Sequence, residues 1–418
     1  MEYLSELYSR FEESSGVVTD SRLITPESMF FALRGASFDG NRFAAEALAK
    51  GARYAVVDSD IPAEENPQFA ERFIRVDDTT AALQSLAREH RRHLAIPIIA
   101  IAGSNGKTTT KELVACVLAE KFAVSATRGN LNNHIGVPLT LLSMTRDTEF
   151  GVVEMGASAC GEIALLASIA EPNYGIITNI GRSHLEGFGG VEGIRRGKGE
   201  LFDFLAANGG TAFVPNENEV LAEMAAERCG IAVERYSTAI ADGFESLLEG
   251  DYNRLNIAAA VEVGSYFGVP RERIAAAIAE YTPSNNRSQR VVTERNTLIV
   301  DCYNANPSSM AVAIENLHKD PSEHKMLILG DMLELGEWSA EEHRRIAEAA
   351  LDIDGAEIVS VGLVFAEAAV AVGAGERWRA FASTDEAAQY LQKAAVSGRK
   401  ILIKGSHRWA LEKLVGIL

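Results

Sequence analysis

The stretch Ile98-Ile99-Ala100-Ile101-Ala102-Gly103-Ser104-Asn105-Gly106-Lys107-Thr108-Thr109-Thr110 constrains this chain more than any other. An unbroken run of small and branched apolar residues has no polar face, which suits a strand buried on both sides of a parallel sheet. The run enters a glycine turn and then a helix beginning near Lys107. Glycines let backbone N–H groups approach phosphate oxygens, and the N-terminus of a helix adds a favourable dipole. The Lys107 ammonium can then reach the outer phosphates of a nucleoside triphosphate, and the Thr108 hydroxyl can ligate Mg²⁺. The full pattern, G-x-x-x-x-G-K-[ST], would place its first glycine at Ile101. Here the first glycine is Gly103, so the loop is the shorter G-x-x-G-K-T, and Gly103, Ser104, Asn105, Gly106, Lys107, Thr108 and Thr109 are its candidate phosphate contacts.

The same alternation of strand and helix recurs on both sides. Phe150-Gly151-Val152-Val153, Tyr174-Gly175-Ile176-Ile177 and Thr211-Ala212-Phe213-Val214 are each followed by a helical stretch, which predicts a mostly parallel sheet with helices on both faces. Tyr54-Ala55-Val56-Val57 follows an alanine-rich helix within a smaller α/β unit at the N-terminus. A polar break, Thr282-Pro283-Ser284-Asn285-Asn286, has linker composition. Beyond it a second alternating series, with strands near 297–300, 326–329, 357–361 and 401–403, predicts a separate Rossmann-like domain. At 418 residues one core is too few, and the expectation is an α/β protein of three domains: 1–82, 83–284 and 285–418.

The chain carries 40 lysines and arginines against 58 acidic residues, a net charge of −18, and no basic cluster marks a nucleic-acid face. Positive charge for an anionic substrate must therefore be concentrated in glycine loops and lone lysines. No apolar run approaches the roughly 20 residues of a membrane span. The N-terminus, Met1-Glu2-Tyr3-Leu4-Ser5-Glu6, lacks the pattern of a secretory signal. Cys116, Cys160, Cys229 and Cys302 have no metal-ligand spacing, which predicts reduced thiols in the cytoplasm.

Downstream of the loop, Glu154 ends the strand Gly151-Val152-Val153, at the sheet edge where α/β proteins bind ligands. Its oxygens suit a hard cation bridging phosphates. His184, on the loop after the next strand, lies beside the same crevice; a lone histidine there is as readily structural as functional. Lys198 falls on a helix, where position alone suggests an ordinary solvated lysine.

The phosphate loop is followed in order by Gly129-Asn130-Leu131-Asn132-Asn133-His134-Ile135-Gly136-Val137-Pro138 and Glu154-Met155-Gly156-Ala157. Thr178-Asn179-Ile180-Gly181 with His184-Leu185-Glu186, and then Lys198-Gly199-Glu200, come next. This combination, over nearly the whole chain, resembles the Mur ligases. Segments 301–310, 329–336 and 404–408 resemble the branch that adds D-alanyl-D-alanine to UDP-N-acetylmuramoyl-tripeptide through an acyl phosphate, a cytoplasmic step of peptidoglycan synthesis. The resemblance implies a monomer with a UDP-sugar-binding first domain, a central ATP-binding domain and a third domain that takes the dipeptide and closes on ATP.

It also implies residue roles. Thr108 and Glu154 would hold one Mg²⁺ and His184 a second. Lys198 would carry a carbamate beside the metals. Lys107 and Asn133 would act at the transferred phosphate. Asn253 and Asn256 would lie near the adenine, and Arg287 and Asp301 would close onto the nucleotide. Asp20, Ser21 and Arg22 would bind the UDP-sugar, and Asn130, Asn132, Tyr303, Asn306 and Ser309 the remaining substrate groups.

This chain departs from the pattern at His134, often an acid in the family, at Tyr252, often a histidine, and at Ser183, commonly alanine. It is also shorter between Tyr236 and Asp251. The rival branch that adds a diamino acid typically carries Asp-Asn-Pro-Arg, whereas Asn304-Ala305-Asn306-Pro307-Ser308-Ser309 lacks the arginine. A phosphate-loop NTPase acting as a binding module would instead turn over ATP without an amine acceptor. A nicotinamide-dependent dehydrogenase would need a Gly-x-Gly-x-x-Gly turn in the third domain, where there is none.

Overall fold

The apolar runs read as strands all fold as strands, and they assemble into three sheets. The computed structural model describes residues 2–59, 66–248, 250, 252–283 and 287–418. The first sheet is parallel, with β1 (Val17–Val18), β2 (Met29–Phe31), β3 (Tyr54–Val57) and β4 (Phe73–Arg75) side by side in chain order.

The central sheet contains β5 (Ile98–Ala102), β6 (Val124–Ala126), β7 (Phe150–Glu154), β8 (Tyr174–Ile177), β9 (Thr211–Pro215) and β10 (Ala232–Tyr236), all parallel, in the order β10-β9-β8-β5-β7-β6. Strand β5 shows why an unbroken apolar run is required. Ile99 and Ile101 pack with Val114, Val117 and Val261 on one face, while Ala100 and Ala102 belong to the core on the other with Leu166 and Phe202. Because β5 lies between β7 and β8, their C-terminal ends form the crevice at which the order reverses, the place where open α/β sheets bind ligands.

The third sheet contains β11 (Gln289–Val292), β12 (Thr297–Asp301), β13 (Lys325–Gly330), β14 (Glu357–Val361), β15 (Trp378–Phe381) and β16 (Lys400–Lys404), in the order β11-β12-β16-β13-β14-β15. Only β11 runs antiparallel to its neighbour among these strands, so the sheet is Rossmann-like with one reversed edge.

The expected boundary at residue 82 falls inside the helix Thr79–Leu94. That helix packs against Glu2–Glu12 of the first unit and against Gly136–Leu142 and Glu162–Ala170 of the central one. Its buried Ala82, Leu83, Leu86 and Ala87 recur at helical spacing, so a shared, amphipathic helix runs across the expected boundary and joins the two units. The expected boundary at 284/285 lies outside the described residues. No helix among the described residues is long and apolar enough to cross a membrane.

Candidate active site

The turn after β5 requires glycine at two places. Gly103 has φ 132°, and a Cβ there would lie 2.1 Å from Thr178 Oγ1. Gly106 has φ 79°, and a Cβ there would lie 2.6 Å from Asn256 Oδ1. Both backbones lie in the left-handed region that L side chains avoid.

The loop is held from the segment after β8. Ser104 Oγ donates to the Gly181 carbonyl and accepts from its N–H, both at 2.9 Å. Asn179 Oδ1 accepts from Asn105 N at 3.1 Å, and the Asn105 carbonyl accepts from Thr178 Oγ1 at 2.6 Å and from Asn179 Nδ2 at 2.9 Å. Thr178 and Asn179 were visible as a motif without a role; their role here is to shape the phosphate loop.

Lys107 opens the helix Lys107–Ala119 and folds its ammonium back onto the Gly103 and Ser104 carbonyls, at 2.8 and 3.0 Å. Burial pushes its pKa down to about 8, with Glu154 opposing the shift and Arg287 adding to it. Thr108 and Glu154 are both buried, and Thr108 Oγ1 and Glu154 Oε2 have no hydrogen-bond partner among the described residues. The other Glu154 oxygen accepts from Asn132 Nδ2 at 2.8 Å, and its N–H donates to Thr127 Oγ1 at 2.9 Å. Two orphaned hard oxygens beside a phosphate loop fit a divalent cation, which would satisfy both.

Lys198, expected on position alone to be solvated, is 1% exposed on the helix Val191–Ala207. Its ammonium donates to the Ala157 carbonyl at 2.8 Å and lies 4.8 Å from the Phe188 ring centroid. Burial, reinforced by Lys107, pushes its pKa down to about 7. His184 lies nearby with φ 53°, its Nδ1 hydrogen-bonded to the Glu334 carboxylate of the third domain. Burial lowers its pKa against the opposing pull of Glu334.

Asn133 Oδ1 accepts from the N–H groups of Ile135 and Gly136, at 3.1 and 2.8 Å, bracing the turn that leads into the helix Gly136–Leu142 while lining the crevice. Asn253 and Asn256 are buried together. Asn256 Nδ2 donates to Asn253 Oδ1 at 2.9 Å, and Asn256 Oδ1 accepts from Thr110 Oγ1 at 3.0 Å.

The third domain brings its own residues to this crevice. Asn306 Nδ2 donates to Asn105 Oδ1 at 2.7 Å, directly onto the phosphate loop. Asn306 also caps the helix Pro307–Lys319 in a reciprocal arrangement with Ser309, so the polar side-chain atoms of both are already engaged. Ser308 Oγ accepts from Arg182 N at 2.8 Å. The Arg287 guanidinium lies 3.8 Å from the Tyr303 ring centroid, and the Lys404 ammonium is paired with Asp301 and with the Asn304 carbonyl at 3.2 Å.

A cavity of about 940 Å³ is lined by Lys107, Thr109, Asn132, Asn133, Glu154, His184, Asn253, Asn256, Arg287, Asp301, Tyr303 and Ser309, together with Glu334 and Lys404. Asn130 does not line it and is exposed. Asp20, Ser21 and Arg22 lie apart on the first domain, where the Arg22 guanidinium holds the Asp20 carboxyl down to about 2. Sequence reading assigned no role to Glu334 or Lys404. Both sit in segments whose pattern was noticed, but only the fold carries them to the crevice.

Models of the Mur ligase middle domain, the Mur ligase glutamate ligase domain and the Mur ligase family catalytic domain match residues 101–258, 286–407 and 13–91. The UDP-N-acetylmuramoyl-tripeptide–D-alanyl-D-alanine ligase of Bacillus subtilis is 34% identical, over 96% of this chain and 92% of its own length. The chain belongs to the Mur ligase family. The corresponding ligase of Escherichia coli is 32% identical, over 96% of this chain and 93% of its own.

Among solved Mur ligase structures, MurF from Acinetobacter baumannii superposes with a TM-score of 0.85 at 29% identity, covering 99% of this chain and 97% of that one. MurF from Thermotoga maritima in complex with ADP superposes at 0.83 with 25% identity, covering 97% of each chain. Among the described residues there is no group of three or more His, Cys, Asp or Glu that could hold a metal ion.

Proposed function

We infer that this chain is an ATP-dependent ligase that joins D-alanyl-D-alanine to UDP-N-acetylmuramoyl-tripeptide, forming a C–N bond with release of ADP and phosphate. The observation that carries the reading is the pair of orphaned oxygens, Thr108 Oγ1 and Glu154 Oε2, beside a phosphate loop that borders a cavity shared by the central and third domains.

The γ-phosphate of ATP would lie against the backbone N–H groups from Gly106 to Thr109, with the Lys107 ammonium released from its two carbonyls to offset charge on the transferring group. Thr108 and Glu154 would hold one Mg²⁺, and His184 and a carbamate on Lys198 a second; when bound, these ions neutralise the phosphate oxygens. Asn132 keeps Glu154 oriented, and Asn133, whose amide nitrogen has no hydrogen-bond partner among the described residues, lines the crevice. Asn253 and Asn256 would form the polar end of the adenine slot beside Ile176, Leu255 and Ala259. Arg287 and Asp301 would cover the nucleotide from the third domain. Tyr303 would place the dipeptide, with Asn306 and Ser309 holding the start of the helix beside it, while Asp20, Ser21, Arg22 and Asn130 would meet the UDP-linked substrate.

The tripeptide carboxylate attacks the γ-phosphorus and ADP departs, leaving an acyl phosphate. The dipeptide amine then adds to the acyl carbon, and the tetrahedral intermediate expels phosphate to leave the amide. Neither step needs a protein nucleophile, so positioning supplies much of the rate. The reading carries with it a monomer in the cytoplasm. An ¹⁸O-labelled tripeptide carboxylate tests the chemistry directly. One labelled oxygen should appear in the released phosphate, and unlabelled phosphate would rule out acyl transfer through that carboxylate.

A further inference from the structure

His184 is coupled across the domain boundary to a residue with no assigned role. Its Nδ1 hydrogen-bonds to the Glu334 carboxylate. A carboxylate only accepts, so Nδ1 carries a proton, and in the neutral imidazole Nε2 keeps its lone pair. Among the described residues Nε2 has no hydrogen-bond partner, and the side chain lines the shared cavity. Both residues have left-handed backbones, φ 53° at His184 and φ 59° at Glu334, a conformation non-glycine residues hold only when their surroundings impose it.

Those surroundings are built. Asp331 accepts from the N–H groups of Val364 and Phe365 at 3.0 and 2.8 Å, and its carbonyl accepts from Trp409 Nε1 at 3.0 Å. Met332 N donates to the fully buried His343 at 2.9 Å. The loop so fixed docks on the central domain, where Glu186 N donates to the Glu334 carbonyl at 3.3 Å and a Cβ on Gly336 would lie 3.2 Å from the Glu186 side chain.

A lone exposed ion pair contributes little to holding domains together. A carboxylate on the far nitrogen of a metal-binding histidine, however, fixes the ring and its tautomer. We propose that Glu334 is a positioning residue: it sets His184 in the Nε2-ligating form, so that docking of the third domain completes the second metal position. This rests on the assignment of His184 as a metal ligand made above. It makes metal affinity and third-domain docking two readings of one equilibrium, each strengthening the other.

The full-length protein with ADP can be titrated with Mn²⁺ and followed by electron paramagnetic resonance. Glu334→Gly accepts the left-handed backbone, so it should fold and keep the first site. It should bind the second Mn²⁺ about 10- to 100-fold more weakly. Glu334→Gln, whose amide oxygen still accepts from Nδ1, should retain most of the second-site affinity. A Gln variant as weak as the Gly variant would overturn the proposal. If Glu334→Gly binds the second Mn²⁺ like the parent while His184→Ala does not, the proposal fails and the His184 assignment stands. If His184→Ala also binds both ions normally, both fail.

Discussion

At the scale of single residues the site is defined by groups placed where an isolated protein would not place them. Lys198 is the clearest case. Its pKa falls from an ordinary 10.5 to about 7 through burial, so between those values the unfolded chain binds more protons than the folded one, and stability climbs with pH. The burial penalty is therefore fully present below pH 7 and disappears as pH approaches 10.5. In CO₂-free buffer, Lys198→Met should raise the melting temperature at pH 7, and differential scanning fluorimetry should show that gain shrinking as pH rises. The same variant should lose turnover. Lys198→Ala should also lose it and recover part of it with added short carboxylates; an inert pH profile and retained turnover would remove the carbamate from the mechanism. At the phosphate loop, Gly106→Ala forces a Cβ to within 2.6 Å of Asn256 Oδ1 at φ 79°. Backbone strain of this kind costs about 1–3 kcal/mol. Calorimetry should find ADP binding weakened by roughly 10- to 100-fold.

At the scale of elements, legibility followed burial. Strands β5, β7, β8, β9 and β13 are almost wholly buried and read as unbroken apolar runs. Of the strands not read in the sequence, β1, β4, β6, β10, β11 and β15 are sheet edges without full burial, as in Ala232-Val233-Glu234-Arg235-Tyr236, whereas β2 is buried between β1 and β3 but only three residues long. An edge strand packs on one side only, so its pattern dilutes into that of a loop. The phosphate loop was legible because strand, turn and helix adjoin in sequence. Lys198 was not, because nothing local reveals that the Phe188 ring and the Ala157 carbonyl close over it. The helix Pro307–Lys319 offers a test of a residue with two tasks. Asn306→Ala removes its cap and should cost about 1 kcal/mol in denaturant unfolding. Asn306→Asp keeps the acceptor for Ser309 N but cannot donate to Asn105. It should unfold like the parent while kcat/KM for the dipeptide falls about tenfold. Equal kcat/KM in the Asp variant would show that the contact between the domains is idle.

At the scale of the whole molecule, the central and third α/β units present their loops to one crevice, and the third contributes groups far away in sequence. Asn306 meets Asn105, Glu334 meets His184, and Glu342 pairs with Arg182. None of these pairs could be read from spacing, since each spans more than a hundred residues; they follow from the docking of two sheets that were themselves legible. A ligation in three substrates suits this arrangement, because closure can gather ATP, carboxylate and amine before any bond changes. The most direct test of that account is phosphate release from ATP and Mg²⁺ in the presence of UDP-N-acetylmuramoyl-tripeptide, measured with and without D-alanyl-D-alanine. The account predicts release that depends on the dipeptide, with a product heavier by one dipeptide residue unit. Release indifferent to the dipeptide, or driven instead by a single amino acid, would contradict it.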